Sequence, residues 1–477
     1  MLLDRDNRTR AVRIGLVIAL LSAFAPPGMA QHAEQDLPQA DSTQEQSHLY
    51  EIMKKGELDG RFRQYNMATV NDGAPSDFYA IAFGGTLGFT SQRWHGVQFK
   101  LSGGYTFQLA GSDLTVPDAV AGLYNRYEIG LYDVTDPRRT NDLAYLHEFQ
   151  LNYASQSART NAVFGKQELN TPFLNLQDGR MHPTLFEGAW VKHRTSIGTS
   201  FEGGWLYRVA PRGTSNWYLI DESTQIYSAG RNILGQPTAH GEYQRSAGIF
   251  AASVKQPVTK RVSITVWDVL VENMFNTALL QLDAGHRDQG VSISAQAVQQ
   301  TPLASHHTND PEQAYMPTGE DATAFSARLR HVPGKFRWQL NYTRITAHGR
   351  YLMPREWGRD PFFTFLPRER NEGLGDVHAG TLNLILKDAV KGLRVEADAG
   401  AYWLPAISDA RLNKYAMPSY AQFAVNTQYQ FTGGWKGLAV QLLYLVKLPL
   451  YDQDLTAKQA FNKVDMHHAD LVINYSF

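Results

Sequence analysis

A period of two constrains this chain more than any other feature. From about Glu57 to Phe477 the sequence runs in segments of roughly ten residues in which apolar and polar side chains alternate, the mark of a strand with one face buried. In His468–Phe477, Ala469, Leu471, Ile473, Tyr475 and Phe477 share one face; His468, Asp470, Asn474 and Ser476 share the other, with Val472 the exception. Leu393, Val395, Ala397, Ala399 and Trp403 oppose Arg394, Glu396, Asp398 and Tyr402 in the same way. Val97, Phe99, Leu101, Tyr105 and Phe107 oppose Gln98, Lys100, Ser102 and Thr106. No convincing amphipathic helix interrupts this rhythm, and no run of ~18 apolar residues offers a helical span.

Alternation alone also fits a soluble sandwich, so the direction of burial has to be argued. The polar faces carry clustered charge, with Arg328 and Arg330 on one strand and Arg394, Glu396 and Asp398 on another, as the wall of a wet lumen would. Aromatic pairs sit at segment ends (Phe336 and Trp338, Tyr402 and Trp403, Tyr475 and Phe477), where interfacial girdles form. Mean hydropathy is only −0.36, yet the chain holds 23 Tyr, 23 Phe, 9 Trp and 39 Gly, a combination that suits a barrel with a polar interior. Lipid does not solvate an open sheet edge, so such a sheet must close. The expected fold is all-β, an antiparallel transmembrane β-barrel.

Eighteen strands are expected, beginning near Glu57, Phe78, Val97, Ala144, Arg159, Phe186, Phe201, Gln244, Val262, Phe275, Gly290, Thr323, Phe336, His378, Leu393, Ser419, Gly437 and His467. If Val269–Phe275 continues as one strand, the count is sixteen. Short turns such as Ser91–His95, Val332–Lys335 and Asp388–Lys391 alternate with long connections. The long ones are Ala110–Leu143, Asn170–Pro183, Pro211–Gly241, Thr301–Glu320, Gly349–Asp376, Pro405–Met417 and Pro449–Met466. That asymmetry is what periplasmic turns and extracellular loops produce. A terminal Phe preceded by alternating apolar residues is the feature read by barrel-insertion machinery, which is therefore an expected partner, as are outer-membrane lipid and lipopolysaccharide.

Residues 1–30 read as a secretory signal: Arg5, Arg8, Arg10 and Arg13, then the apolar Ile14–Ala25, then Gly28-Met29-Ala30. The apolar run is too short to cross the ~30 Å hydrocarbon core as an anchor. Residues 31–56 form a polar lead, and 57–477 the barrel. Zero Cys excludes disulfides, thiolate metal sites and a cysteine nucleophile, and a net charge of −1 gives no footprint for nucleic acid.

Candidate functional residues concentrate in Phe164–Trp190. This connection mixes turn formers (Asn170, Pro172, Asp178, Gly179, Pro183) with apolar Phe173, Leu174, Leu176 and Met181. Exposed loops have little use for such residues; a loop folded against an inner wall does, and it would carry Asp178 and Arg180 into the lumen. The stretch resembles the OprD family of outer-membrane porins. The residues that carry the resemblance are Gly165-Lys166-Gln167, Asp178-Gly179-Arg180, Pro183 and Thr184-Leu185-Phe186-Glu187-Gly188. The resemblance implies an eighteen-strand channel, monomeric with a trimer as the alternative, for small solutes such as amino acids or other carboxylates. It also implies a constriction made by the third long loop, with Asp178 and Arg180 at the eyelet, opposite a basic ladder. Lys166 departs from the acid more usual at its position and is expected to add positive potential there.

By alternation alone, Arg61, Arg63, Lys100, Arg328, Arg330, Arg337 and Arg394 fall on polar faces. Several cations facing one narrow pore would concentrate anions, and the planar guanidinium suits carboxylates. The bland alternative is that these groups neutralise inward acids such as Glu148, Glu396 and Asp398. The expected activity is passive, partly selective diffusion of small anionic or zwitterionic solutes into the periplasm, with neither cofactor nor catalysis. Two rivals stand beside it: an oligosaccharide channel with Tyr65 and Tyr402 as a slide for sugar faces, and a surface-binding barrel whose long loops engage a partner. His306, His307, Asp310 and Glu312, or Asp465, His467 and His468, lack the spacing that fixes a metal geometry. No G-x-S-x-G elbow appears.

Overall fold

The computed structural model describes residues 48–140, 142–177, 179–285, 290–304, 309–451 and 454–477. The expected signal and most of the polar lead lie outside that set, as do Asp178, His306 and His307. Within the lead, His48–Lys54 forms two helical turns that the alternation pattern did not indicate.

Nineteen strands follow: β1 Glu57–Asn71, β2 Phe78–Thr90, β3 Val97–Gly111, β4 Leu143–Ala154, β5 Thr160–Gln167, β6 Leu185–Arg194 and β7 Ser200–Ala210. Then come β8 Tyr218–Leu219, β9 Ile249–Pro257, β10 Val262–Val271, β11 Phe275–Gly285, β12 Gly290–Pro302 and β13 Ala322–Val332. The last six are β14 Phe336–Ile345, β15 Val377–Lys387, β16 Leu393–Trp403, β17 Tyr420–Gln430, β18 Leu438–Pro449 and β19 Met466–Ser476. Each strand except β8 pairs antiparallel with its chain neighbours in one sheet. β19 closes the ring on β1, from Arg61 opposite Ser476 to Asn71 opposite Met466. β8 adds two residues beside the end of β7, above the point where β9 begins. The barrel therefore has eighteen strands.

The disputed segment resolves into two strands because Glu272–Met274 turns between β10 and β11, with Asn273 at φ +62°. Asn tolerates that left-handed geometry better than most residues. The eighth expected segment start, Gln244, is displaced: His240–Tyr243 forms a helical turn, and the strand begins at Ile249. β3 and β4 slip register between Ser102 and Gly103. A Cβ at the adjacent Gly104 would overlap the Tyr145 ring, so glycine there lets the wall bend at the bulge.

Burial directions follow the lipid-facing reading. On β12, Val291 and Ile293 are 51% and 56% exposed, whereas Ser292, Ser294 and Gln296 between and beside them are buried. Phe325, Leu340, Phe423 and Leu442 are likewise exposed. A water-soluble chain does not cover its sheet with such a continuous apolar belt; lipid requires one. Trp403, Tyr475 and Phe477 face outward, but Tyr402 turns inward and stacks on Tyr420 at 4.6 Å. The molecule is a transmembrane barrel of the outer-membrane type.

Candidate functional site

Two of the long connections turn into the barrel. The first, residues 168–184, is the one its apolar content singled out, and Leu169, Phe173, Leu174 and Met181 are buried in it. Neutral hydrogen bonds hold it. Thr171 Oγ1 accepts from the Leu174 amide at 2.9 Å, and Asn175 Oδ1 accepts from the Arg359 amide at 2.9 Å. Gln177 Nε2 donates to the carbonyls of Arg355 and Glu356 at 2.7 and 3.1 Å, while its Oε1 accepts from Arg370 at 2.8 Å. Burial pushes His182 down to about 3, so it stays neutral and its Nε2 accepts from the Gly213 amide at 3.2 Å. Its ring stacks on Tyr145 at 4.3 Å.

The second is residues 346–376, which sequence reasoning treated only as a long connection. Its segment 363–369 runs along the inner wall and meets strand after strand. The Phe363 amide donates to Ser326 on β13 at 3.1 Å, and Thr364 Oγ1 donates to Thr343 on β14 at 2.8 Å. The Thr364 carbonyl accepts from Tyr402 on β16, and the Pro367 carbonyl accepts from Gln422 on β17 at 2.8 Å. Glu369 pairs with Lys447 on β18 at 2.7 Å. Arg368 pairs with Asp470 on β19 and donates to Tyr65 on β1 at 3.0 Å. Burial alone would raise the Glu369 carboxyl, but Arg126 at 3.1 Å and Lys447 outweigh it and bring it down to about 2. Among the described residues Glu356 and Asp360 have no cation so close, and burial outweighs Lys414 near the one and Arg370 near the other, lifting them to about 7 and about 6. A signal for this loop was present: Tyr351, Leu352, Met353, Trp357, Phe362 and Leu366 are all buried, the same apolar excess that marked the first loop.

Between the two loops and the β13–β16 wall lies a chamber of about 430 Å³. Thr171 and Asn175 line it from the first loop and Arg359, Asp360, Phe363 and Phe365 from the second. Arg328, Gln339, Asn341, Asn383 and Glu396 line it from the wall. The Arg328 guanidinium lies over the Phe363 ring at 4.2 Å and donates to Ser294 at 3.1 Å. Arg359 lies over Phe365 at 4.9 Å. Stacking on a ring face leaves the edge of the Arg359 guanidinium, where its N–H donors point, turned toward the space an anion would enter. Sequence reasoning missed Arg359 because its position depends on how the second loop folds.

The seven expected ladder cations divide into two groups. Arg328, Arg330, Arg337 and Arg394 lie together on β13, β14 and β16. Arg61, Arg63 and Lys100 lie on β1 and β3, and β3 stands nine pairings from β13 in either direction round the ring. They do not form one row. Lys100 pairs with Glu148 at 2.5 Å and Arg394 with Glu396 at 2.7 Å, as the bland reading had it. Arg330 donates to Ser292 at 3.0 Å, and the buried Arg337 Nε has no hydrogen-bond partner among the described residues. Arg63 donates to Asn474 at 2.6 Å and to the carbonyl of Arg180.

Two expected positions need correction. Arg180 is buried, not presented to open lumen; its Nη1 donates to the Tyr127 carbonyl at 2.8 Å and fills the space that Gly130, lacking a side chain, leaves. It fastens the first loop to the 112–142 connection. Lys166 does not face the lumen at all. β5 continues to Gln167, so Lys166 shares the outward face with Phe164 and sits opposite outward Phe149. Its ammonium pairs with Glu187 at 2.5 Å on the exterior, and the potential expected from it in the pore is not there. Tyr65 and Tyr402 are buried beneath the second loop, which leaves no exposed ring for a sugar slide. His467 bonds Tyr444 on the outer face while His468 bonds Thr69 on the inner one, so the two cannot share a metal. Among the described residues no three His, Asp or Glu side chains are grouped to hold one.

Neither a protein-family model nor a curated protein matches the sequence. Solved structures do. The chain is similar to OccK9 (OpdG) of Pseudomonas aeruginosa, at 15% identity and a TM-score of 0.67 over 89% of this chain and 99% of that one. It is similar to OpdK of the same organism, solved with vanillate, at 14% identity and a TM-score of 0.65 over 89% and 99%. OccAB4 of Acinetobacter baumannii gives 15% identity and a TM-score of 0.66 over 88% and 98%. These are OprD-family outer-membrane porins, and the chain has their barrel fold over nearly its whole described length.

Proposed function

We propose that this protein is an outer-membrane porin through which small anionic or zwitterionic solutes diffuse passively toward the periplasm. The observation that carries this reading is the chamber: a polar space inside a closed barrel, narrowed by two loops and lined by the guanidinium groups of Arg328 and Arg359. A water-filled passage between low-dielectric walls strengthens the field of those cations on a passing anion. Asp360 and Glu396 across the same space would meet an ammonium group, which suits a zwitterion. Contacts of this kind are weak and multiple, as release on the far side requires. The OpdK structure with vanillate, a carboxylate, is consistent with that solute class.

Single-channel recording of the refolded protein in planar bilayers, with a reversal potential across a salt gradient, tests it. The expected result is a small, anion-preferring conductance. Arg328→Ala combined with Arg359→Ala should lower the anion-to-cation permeability ratio about two- to five-fold, the effect of removing fixed charges a few ångströms from the ion's path. Lys166→Gln, on the exterior, should leave it unchanged. A refolded barrel that does not conduct would sink the reading. One observation favours a second: in the 112–142 connection Val116, Val120 and Tyr124 are exposed, as a loop that binds a partner would have them. That reading predicts a conductance unaffected by deleting those residues, with loss of binding to a host surface.

A further inference from the structure

The outward placement of Lys166 leaves a group of charges on the membrane face that the channel reading does not use. Directly paired residues form one outward row across the wall: Phe149, Lys166, Glu187, Arg208 and Leu219. Phe149 and Leu219 are exposed apolar side chains at its ends, which fixes the row on the exterior. Every other outward position of β5–β7 lacks a carboxylate, ammonium or guanidinium group.

The height of the row follows from strand length. A transmembrane strand needs about 9–11 residues; β6 has 10 and β7 has 11. Glu187 is the third residue of β6 and Arg208 the third from the end of β7, both at the long-loop end. The charges therefore stand where hydrocarbon gives way to headgroups, the depth at which they are tolerated. Trp205, stacked parallel to Phe250 at 6.2 Å, adds the aromatic belt of that boundary.

The pairing is unequal. Lys166 is satisfied: its ammonium meets Glu187 at 2.5 Å and lies 4.0 Å from the centre of the Trp217 ring. Arg208 is not. Its guanidinium approaches Glu187 only to 3.9 Å, makes no hydrogen bond among the described residues, and is 46% exposed. Two cations surround one carboxylate, so the group keeps a net positive charge and a planar fork of unused donors at the headgroup plane. A phosphate monoester matches that fork in geometry and charge.

We propose that the exterior of β5–β7 binds the phosphate of an outer-leaflet glycolipid, with Arg208 as its bidentate partner, Lys166 adding positive potential, and Glu187 holding both cations in place. This does not rest on the channel reading, and a non-conducting barrel would leave it standing. Native mass spectrometry of the detergent-solubilised protein, titrated with diphosphorylated lipid A and with lipid A stripped of its phosphates, tests it. The expected result is preferential binding of the phosphorylated form, weakened about ten-fold in Arg208→Gln and less in Arg208→Lys, which keeps a point charge. An unchanged heat-dependent mobility shift on SDS gels in Arg208→Gln would show that the barrel is intact. Equal binding of the two lipids, or equal binding by wild type and Arg208→Gln, would overturn the proposal. Inorganic phosphate competing at equal concentration would overturn the lipid as occupant, leaving a general anion site.

Discussion

The two loops that fill the lumen are fastened by different chemistry. Residues 168–184 are held mostly by neutral amides and hydroxyls, with Thr171, Asn175 and Gln177 supplying hydrogen bonds to backbone groups; the charged contacts are Arg180 on the Tyr127 carbonyl and Glu168 on His147, each at 2.8 Å. Residues 346–376 are held in large part by charge: Arg368 to Asp470 and Glu369 to Lys447 on the wall, Glu369 to Arg126 and Glu372 to Lys414 on neighbouring connections, and Glu372 to Arg355 within the loop itself, the last two at 3.2 Å each. Neutral anchors do not titrate, whereas buried carboxylates do. The first loop should therefore keep its place across pH, and the second should carry most of the pH dependence of the pore.

The sharpest way to break that contrast is Glu369→Gln. It leaves Arg126 and Lys447 buried without their carboxylate, a change that costs about 3–5 kcal/mol. The expected outcome is a lower thermal unfolding midpoint together with a noisier, larger conductance as the second loop comes away; an unchanged trace would mean the loop is held by its apolar residues instead. Next in size is the titration of Glu356, raised from an ordinary 4.5 to about 7. The folded protein binds this proton more tightly than the unfolded chain, so its contribution is full below about pH 4.5 and declines as pH rises to about 7, by about 3 kcal/mol. Glu369, depressed to about 2, has the opposite sign, and its contribution fades only below about pH 4.5. Stability followed between pH 5 and 7.5 should fall in the wild type and fall less steeply in Glu356→Gln, where Asp360, raised to about 6, still contributes at the acid end; parallel curves would remove Glu356 as a cause. The smallest effect belongs to the first loop. Gln177→Ala should cost about 1–3 kcal/mol for the buried carbonyls it leaves unpaired, by the same amount at pH 5 and pH 7.5. A pH-dependent loss would show that titration of the second loop reaches the first through the bonds Gln177 makes to the Arg355 and Glu356 carbonyls.

Some of what the sequence left unread was legible in it. Phe164 and Lys166 are two residues apart, so a strand reaching Gln167 puts both on the lipid side; treating Phe164–Trp190 as one connection hid that. The apolar residues of 346–376 would have placed that loop inside by the argument that worked for 168–184. Other features have no local signal. Arg126 and Glu369 are 243 residues apart, and Arg368 and Asp470 are 102 apart; nothing in either neighbourhood marks the partner. The ladder was read by face, and a face says nothing of which side of the ring a strand occupies.

By itself the sequence determined the wall. A side-chain period of two, an apolar face long enough for lipid and turns of alternating length leave a closed barrel of sixteen or eighteen strands as the structure that satisfies every backbone group. Only the tertiary structure decided what fills it. Loop placement depends on contacts between residues far apart in the chain, where no periodicity operates. Those contacts buried Arg180, left Arg359 in the chamber beside Arg328, and set Arg208 at the membrane boundary with Glu187 at 3.9 Å as its ion-pair partner.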